Sequence, residues 1–225
     1  MEIESCASGG ARVDLGVLDR TDRIWVSDNL DPIERLRNQR YTGLIVPPEM
    51  MGTHITSPAV HTTGRTIELA FSAAVALIGH VGIEWDLTTT DDDTRAELSR
   101  WIQLAKGIRS LVAHGRVVNG DTSDPSIDIR GIISDSGDDA LYVVSQTEMS
   151  TIYPSGRIRL PGLDRERIYR VEGVLMDRTR GSGLSDLDWL GKKLLFTGRD
   201  LSEVGVRSLT QLPQRASVLR VTATD

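Results

Sequence analysis

An α/β unit followed by an antiparallel β unit is what the 225-residue sequence predicts, and two observations carry that expectation. Over residues 1–115, short apolar strands alternate with helical patterns, the signature of a parallel sheet or barrel. Beyond Gly115 the texture changes to short strand-like runs separated by turn residues such as Asn119-Gly120-Asp121, Asp135-Ser136-Gly137 and Pro161-Gly162, as in an antiparallel β domain. The boundary is expected near residue 115, giving units 1–115 and 116–225.

In order, Met1–Cys6 alternates polar and apolar residues and runs into the glycine turn Ala7-Ser8-Gly9-Gly10. Domains seldom begin inside a core strand, so a preceding segment is expected. A short helix or loop over Arg12–Leu18 leads to a strand at Ile24–Val26. Asp31-Pro32-Ile33-Glu34 reads as a helix start, with Asp at the cap and Pro at the first helical position, and the helix runs to about Tyr41 with Ile33 and Leu36 on its apolar face. Val46-Pro47-Pro48 breaks the helical pattern. A strand over Met50–Thr56 and a Thr- and His-rich loop over Ser57–Thr66 follow. Leu69–Ile78 is apolar nearly all round, which predicts a buried helix, and Val81–Leu87 reads as the next strand. Thr90-Asp91-Asp92-Asp93 supplies a cap and negative first-turn charge, so Asp91–Asp93 suits the positive end of a helix dipole better than a metal site, and the helix it starts is expected to continue to Gly115. In the second unit, strands are expected at Val117–Val118, Ile127–Ile133, Ala140–Ser145, Arg157–Leu160, Tyr169–Val174, Lys193–Phe196 and Ser217–Val221.

Composition excludes several functional classes. The hydrophobic fraction of 39% and charged fraction of 26% are those of a globular protein. A net charge of −6 without a basic run argues against nucleic acid, and no apolar run approaches the roughly 18 residues of a membrane span. The acidic residues Met1–Cys6 lack the pattern of a signal peptide. Cys6 is the only cysteine, so no internal disulfide forms and a cytoplasmic setting is expected. His54, His61, His80 and His114 have no metal-ligand spacing, and Ser8-Gly9-Gly10 lacks the Lys-Ser/Thr of a phosphate-binding loop, so neither metal nor cofactor is expected.

Asp28 and Asn29 lie on the loop between the Ile24–Val26 strand and the following helix. Asx residues there close turns readily, and in an α/β barrel the same position projects catalytic side chains. A wider likeness bears on that choice. Glu4-Ser5-Cys6-Ala7-Ser8-Gly9-Gly10-Ala11-Arg12-Val13-Asp14 resembles the E-S-C-x-S-G-G-G-R-x-D block of glycoside hydrolase family 36, the α-galactosidases, and Trp25-Val26-Ser27-Asp28-Asn29-Leu30-Asp31 resembles its W-x-S-D-N-T-D block. Met51-Gly52-Thr53-His54, His61–Thr66 and Gly79–Asp86 are similar to further family segments in the same order. Ala11 and Leu30 depart from the family's Gly and Thr.

The resemblance implies the C-terminal half of a (β/α)8 barrel, strands five to eight, followed by an antiparallel β-sandwich. It implies a retaining α-galactosidase acting on α-galactoside oligosaccharides such as melibiose or raffinose, with Asp28 as acid/base. Such a carboxyl must be protonated when substrate arrives. Cys6, Gly9, Trp25 and Asn29 are then the expected sugar contacts: Cys6 near a hydroxyl, Gly9 through its backbone N–H, Trp25 by shielding Asp28 or facing the sugar, and Asn29 by orienting Asp28 or closing the turn. Each also has a purely structural reading, and His54 sits at the rim as either. The family's nucleophile lies in a Lys-Trp-Asp segment that these residues do not contain. The chain alone is therefore expected to be inactive. Its expected partners are a missing N-terminal half or further copies of itself. Two other readings are a non-catalytic galactose-binding remnant and one half of a split enzyme.

Overall fold

The computed structural model describes residues 1–6, 13–152, 156–175, 194–208 and 212–224, and divides into units Met1–Ala113 and His114–Asp225. In the first unit, four strands form a parallel sheet in sequential order: β1 (Glu4–Ser5), β2 (Arg23–Trp25), β3 (Met51–Thr56) and β4 (His80–Glu84). The connections contain α1 (Leu15–Leu18), α2 (Pro32–Thr42) and α3 (Leu69–Ala76); α4 (Asp92–Gly107) and α5 (Arg109–His114) follow β4. Because every strand runs the same way, all four carboxyl ends lie along one edge of the sheet.

The register gives the sheet two chemically different faces. Trp25 stands opposite Gly52, Gly52 opposite His80, His54 opposite Gly82 and Thr56 opposite Glu84. Strand alternation therefore puts Trp25, His54 and Glu84 on one face. The intervening Ile24, Met51, Thr53 and Ile55 are all buried. On that side, the Thr53 hydroxyl donates to the carbonyl of Ala76 at 2.8 Å, and the Thr56 N–H donates to Ser72 Oγ at 3.1 Å. These bonds pin α3 to β3, while Leu69 and Phe71–Ala76 are buried as the all-round apolar pattern predicts.

Both predicted helix starts form. Asp31 accepts from the Ile33 N–H at 2.9 Å with Pro32 in the first turn, and Asp91 accepts from the Thr94 N–H at 2.7 Å ahead of Asp92 and Asp93. Three sequence expectations change. The long helix does not run unbroken to Gly115: it stops at Gly107, Ile108 leaves helical geometry at φ −105° and ψ 6°, and α5 resumes at Arg109. Glycine's backbone freedom makes that a weak point in a helix. Strand β4 ends at Glu84 instead of Leu87, because the Asp86 carboxylate accepts from the Thr88 N–H at 3.0 Å and winds Leu87–Thr89 into a 3-10 turn. The buried face of α2 is Pro32, Arg35, Leu36 and Gln39, leaving Ile33 only partly covered.

The second unit is antiparallel, as its turn-rich pattern predicts. Six strands pair in the order β10-β9-β12-β7-β6-β5: β5 is Arg116–Gly120, β6 Ile127–Ile133, β7 Asp139–Gln146, β9 Ile168–Val174, β10 Leu195–Thr197 and β12 Arg215–Ala223. Among the described residues, the other sheet is a two-stranded pair of β8 (Arg157–Ile158) and β11 (Val206–Arg207), shorter than the layer expected of a sandwich. Ile129, Tyr142, Val144, Tyr169, Leu219 and Val221 from the large sheet share one core with Ile158, Leu201 and Val206. The Asp200–Val204 helical turn and β11 have no counterpart in the sequence reading, and Lys193 lies outside the described residues.

Gly79, between α3 and β4, is packed too closely for any side chain: a Cβ there would stand 2.4 Å from Thr53 Cγ2 and 3.1 Å from the Met51 carbonyl. Gly79→Ala is expected to destabilise the first unit by about 1–3 kcal/mol, the usual cost of overpacking, measured by urea unfolding. An unchanged midpoint would contradict this packing.

Candidate active site

The carboxyl edge of the parallel sheet gathers most of the residues singled out by sequence. Cys6 follows β1, Asp28 and Asn29 follow β2, and β3 is followed by the Thr- and His-rich loop. Cys6 is exposed, and its Sγ lies 4.0 Å from Asp28 Oδ1, so residues 22 apart in sequence meet at this edge. Gly9 lies outside the described residues. The Asp28 carboxylate is exposed, so Trp25 does not desolvate it as expected.

Trp25 is engaged elsewhere. Its ring centroid is 4.3 Å from that of His54 with the planes 38° apart, and the Arg35 guanidinium carbon lies 4.3 Å from its centre. His54 Nδ1 meets Glu84 Oε2 at 2.9 Å. Trp25, His54 and Glu84 thus form a row across β2, β3 and β4. Gly82 makes room for it: a Cβ there would come within 2.5 Å of His54 Cδ2.

Sequence reasoning missed Arg35. It is 2% exposed and donates through Nη1 to the Ser27 carbonyl and through Nη2 to the Gly52 carbonyl, both at 2.9 Å. One guanidinium therefore ties the residue before Asp28 to strand β3 and stacks on Trp25. Burial pushes its pKa down to about 10, against the pull of Glu84 and Glu4, so it remains a cation at neutral pH. A signal was available: Pro32, Arg35, Leu36 and Gln39 recur at helical spacing, but two of the four are polar and escape an apolar-face search.

Asn29 closes the turn. Its N–H donates to Ser27 Oγ at 3.1 Å, and its Oδ1 accepts from the Asp31 N–H at 3.0 Å and from the Thr62 hydroxyl at 2.9 Å. Asp31, read from sequence only as a helix cap, is fully buried and also binds Thr63 and Arg65. Its hydrogen bond and charge raise the Arg65 pKa. Among the described residues, no group of three or more His, Cys, Asp or Glu side chains is arranged to hold a metal ion. Nor is any described helix long and apolar enough to cross a membrane.

A family model described as Melibiase matches residues 1–115, the unit that contains this edge. The chain belongs to the Melibiase family. The Escherichia coli alpha-galactosidase is 35% identical over 225 aligned residues, 97% of this chain and 32% of that protein. Alpha-galactosidase C of Emericella nidulans is 36% identical over 172 residues, 76% of this chain and 23% of that protein. The chain thus spans about a third of the first relative and a quarter of the second. The GH36 alpha-galactosidase AgaB of Geobacillus stearothermophilus superimposes with a TM-score of 0.82 at 26% identity, over 98% of this chain and 28% of that one. A variant of AgaA from the same organism, solved in complex with raffinose, gives 0.83 at 25% identity over the same shares.

Arg35→Met leaves the Ser27 and Gly52 carbonyls without their buried donor. A loss on the order of 3 kcal/mol is expected in chemical unfolding. Arg35→Lys should recover only part of it, because an ammonium lacks the planar fork that spans both carbonyls. Wild-type stability in Arg35→Met would remove Arg35 from the framework of the edge.

Proposed function

We propose that this chain carries the acid/base half of a retaining α-galactosidase site, built on the last four strands of a (β/α)8 barrel, with Asp28 as the acid/base. One observation carries the reading: in a chain of the Melibiase family, Asp28 stands exposed at the carboxyl end of β2 with the Cys6 thiol 4.0 Å away. Carboxyl ends of parallel strands are where α/β barrels place their chemistry. The proposed substrates are oligosaccharides ending in α-linked galactose. AgaA variants solved with raffinose and with stachyose support that class.

In this mechanism Asp28 gives its proton to the glycosidic oxygen as a second carboxylate attacks the anomeric carbon. The resulting carboxylate of Asp28 then takes a proton from the water that releases the sugar. Cys6 and Gly9 contact the galactosyl ring, Asn29 holds the Asp28 loop in shape, and Trp25 supports its base. In this reading a separate nucleophile-bearing portion supplies the attacking carboxylate; that the 225 residues contain no Lys-Trp-Asp segment supports the division. The single cysteine supports a reducing, cytoplasmic setting.

The test is hydrolysis of 4-nitrophenyl α-galactoside and melibiose by the chain, alone and joined to a nucleophile-bearing barrel half from an α-galactosidase. The joined form is expected to hydrolyse both and the chain alone neither. In the joined form, Asp28→Asn should reduce melibiose turnover on the order of 100- to 10,000-fold, the span of general acid–base catalysis. Full turnover in Asp28→Asn would refute the assignment. Galactose binding without turnover by any assembly would instead indicate a sugar-binding remnant.

A further inference from the structure

We propose that Thr62 and Arg65, on the loop after β3, are positioning residues for Asp28, acting through Asn29 and Asp31; this rests on reading Asp28 as the acid/base. Two loops leave the carboxyl edge side by side, and side chains join them. The Thr62 hydroxyl donates to Asn29 Oδ1 at 2.9 Å, the Thr63 hydroxyl to Asp31 Oδ2 at 2.6 Å, and Arg65 Nη1 to the same Asp31 oxygen at 2.7 Å. Asn29 and Asp31 flank Asp28 on its C-terminal side, while Arg35 holds the Ser27 carbonyl on the other.

The loop after β3 is internally braced. The Val60 N–H donates to the Arg65 carbonyl at 2.9 Å, the Gly64 N–H to the Val60 carbonyl at 2.8 Å and the Ile67 N–H to the Pro58 carbonyl at 2.8 Å, with Ala59 and Thr66 bridged and Val60 and Ile67 buried. It can therefore act as a fixed abutment. The bonds also define the Asn29 amide: the Asp31 N–H can only donate, so Oδ1 must face it, and Thr62 adds a second donor to that oxygen. The Asp31 carboxylate is fully buried and Arg65 supplies its countercharge, so the contact tolerates little displacement. Among the described residues, the Asp28 carboxylate makes no bond to this clamp and faces the Cys6 thiol. The clamp consumes the neighbours and leaves the reacting carboxyl to project.

Positioning matters because an acid must reach the glycosidic oxygen, and a displacement of about 1 Å can cost on the order of 100-fold in rate. The leaving group reveals whether the acid is what moved. Melibiose departs as a sugar alkoxide that needs its proton, whereas 4-nitrophenolate leaves largely without one.

The experiment makes Thr62→Val, Arg65→Lys and Arg65→Met in the full chain and reads two signals. The first is hydrogen exchange of the chain itself. Thr62→Val and Arg65→Met should speed exchange at Asn29 and Asp31 by about tenfold through local opening, with β3 amides unchanged and Arg65→Lys intermediate. The second is kinetics in the chain joined to a nucleophile-bearing half. Melibiose kcat should fall on the order of 100-fold in Thr62→Val, while kcat on 4-nitrophenyl α-galactoside falls only a few-fold and KM stays near wild type. Equal losses on the two substrates, or unchanged exchange at Asp31 in Thr62→Val, would overturn the proposal; Thr62→Val keeps the Asp31–Arg65 pair should Arg65→Met fail to fold. If the unmutated joined enzyme hydrolyses neither substrate, the α-galactosidase reading fails, and exchange at Asn29 and Asp31 alone decides whether these residues hold the loop.

Discussion

A carboxylate with no access to water has to be satisfied by donors from the chain around it, and Asp31 meets that demand from two directions. Its Oδ1 takes the Ile33 N–H at the start of α2, and its Oδ2 takes the Thr63 hydroxyl and the Arg65 guanidinium from the loop after β3. Replacing water around a buried ion requires this density of partners, since an unpaired one costs several kcal/mol. One side chain thus sets the direction of a helix, the seat of a neighbouring loop and the shape of the turn that carries Asp28.

Arg35 answers the same problem with the opposite charge. It lies one helical turn after Asp31 and is equally enclosed, yet it donates to the Ser27 and Gly52 carbonyls and stacks on the face of an indole. Burial depresses its pKa, and carbonyl dipoles and an aromatic quadrupole are weaker counterparts than a carboxylate would be. The two ions bracket the turn, one through its side-chain neighbours and the other through Ser27, and Asp28 is left exposed between them. The row of Trp25, His54 and Glu84 beside it relies on small residues: Gly52 and Gly82 leave the space that the indole and imidazole occupy.

The second unit is stabilised by different means. Its core is an apolar layer in which two tyrosines are buried with their hydroxyls satisfied by backbone: Tyr142 donates to the Pro161 carbonyl at 2.6 Å and Tyr169 to the Gly137 carbonyl at 3.0 Å. Turns at those two positions are thereby tied to strands β7 and β9. None of the candidate catalytic residues lies in this unit, in agreement with the Melibiase match over residues 1–115.

Local and periodic information was enough to determine the alternation of the first unit, the antiparallel character of the second, the cap at Asp31, the helix start within Thr90–Asp93 and the burial of α3. Each depends on residues within one or two turns of each other, where spacing and side-chain chemistry act directly. The family blocks likewise singled out Cys6 and Asp28, which the fold brings to one edge. Tertiary structure alone decided what surrounds them. Arg65 reaches Asp31 across 34 residues and His54 meets Glu84 across 30, and neither pairing has a local signature. Arg35 has no apolar mark in the sequence, because periodicity reports which face is inward, not which charge the interior can satisfy. Only the register of β2, β3 and β4 brings the carbonyls, indole and carboxylates together that make those buried and half-buried ions stable.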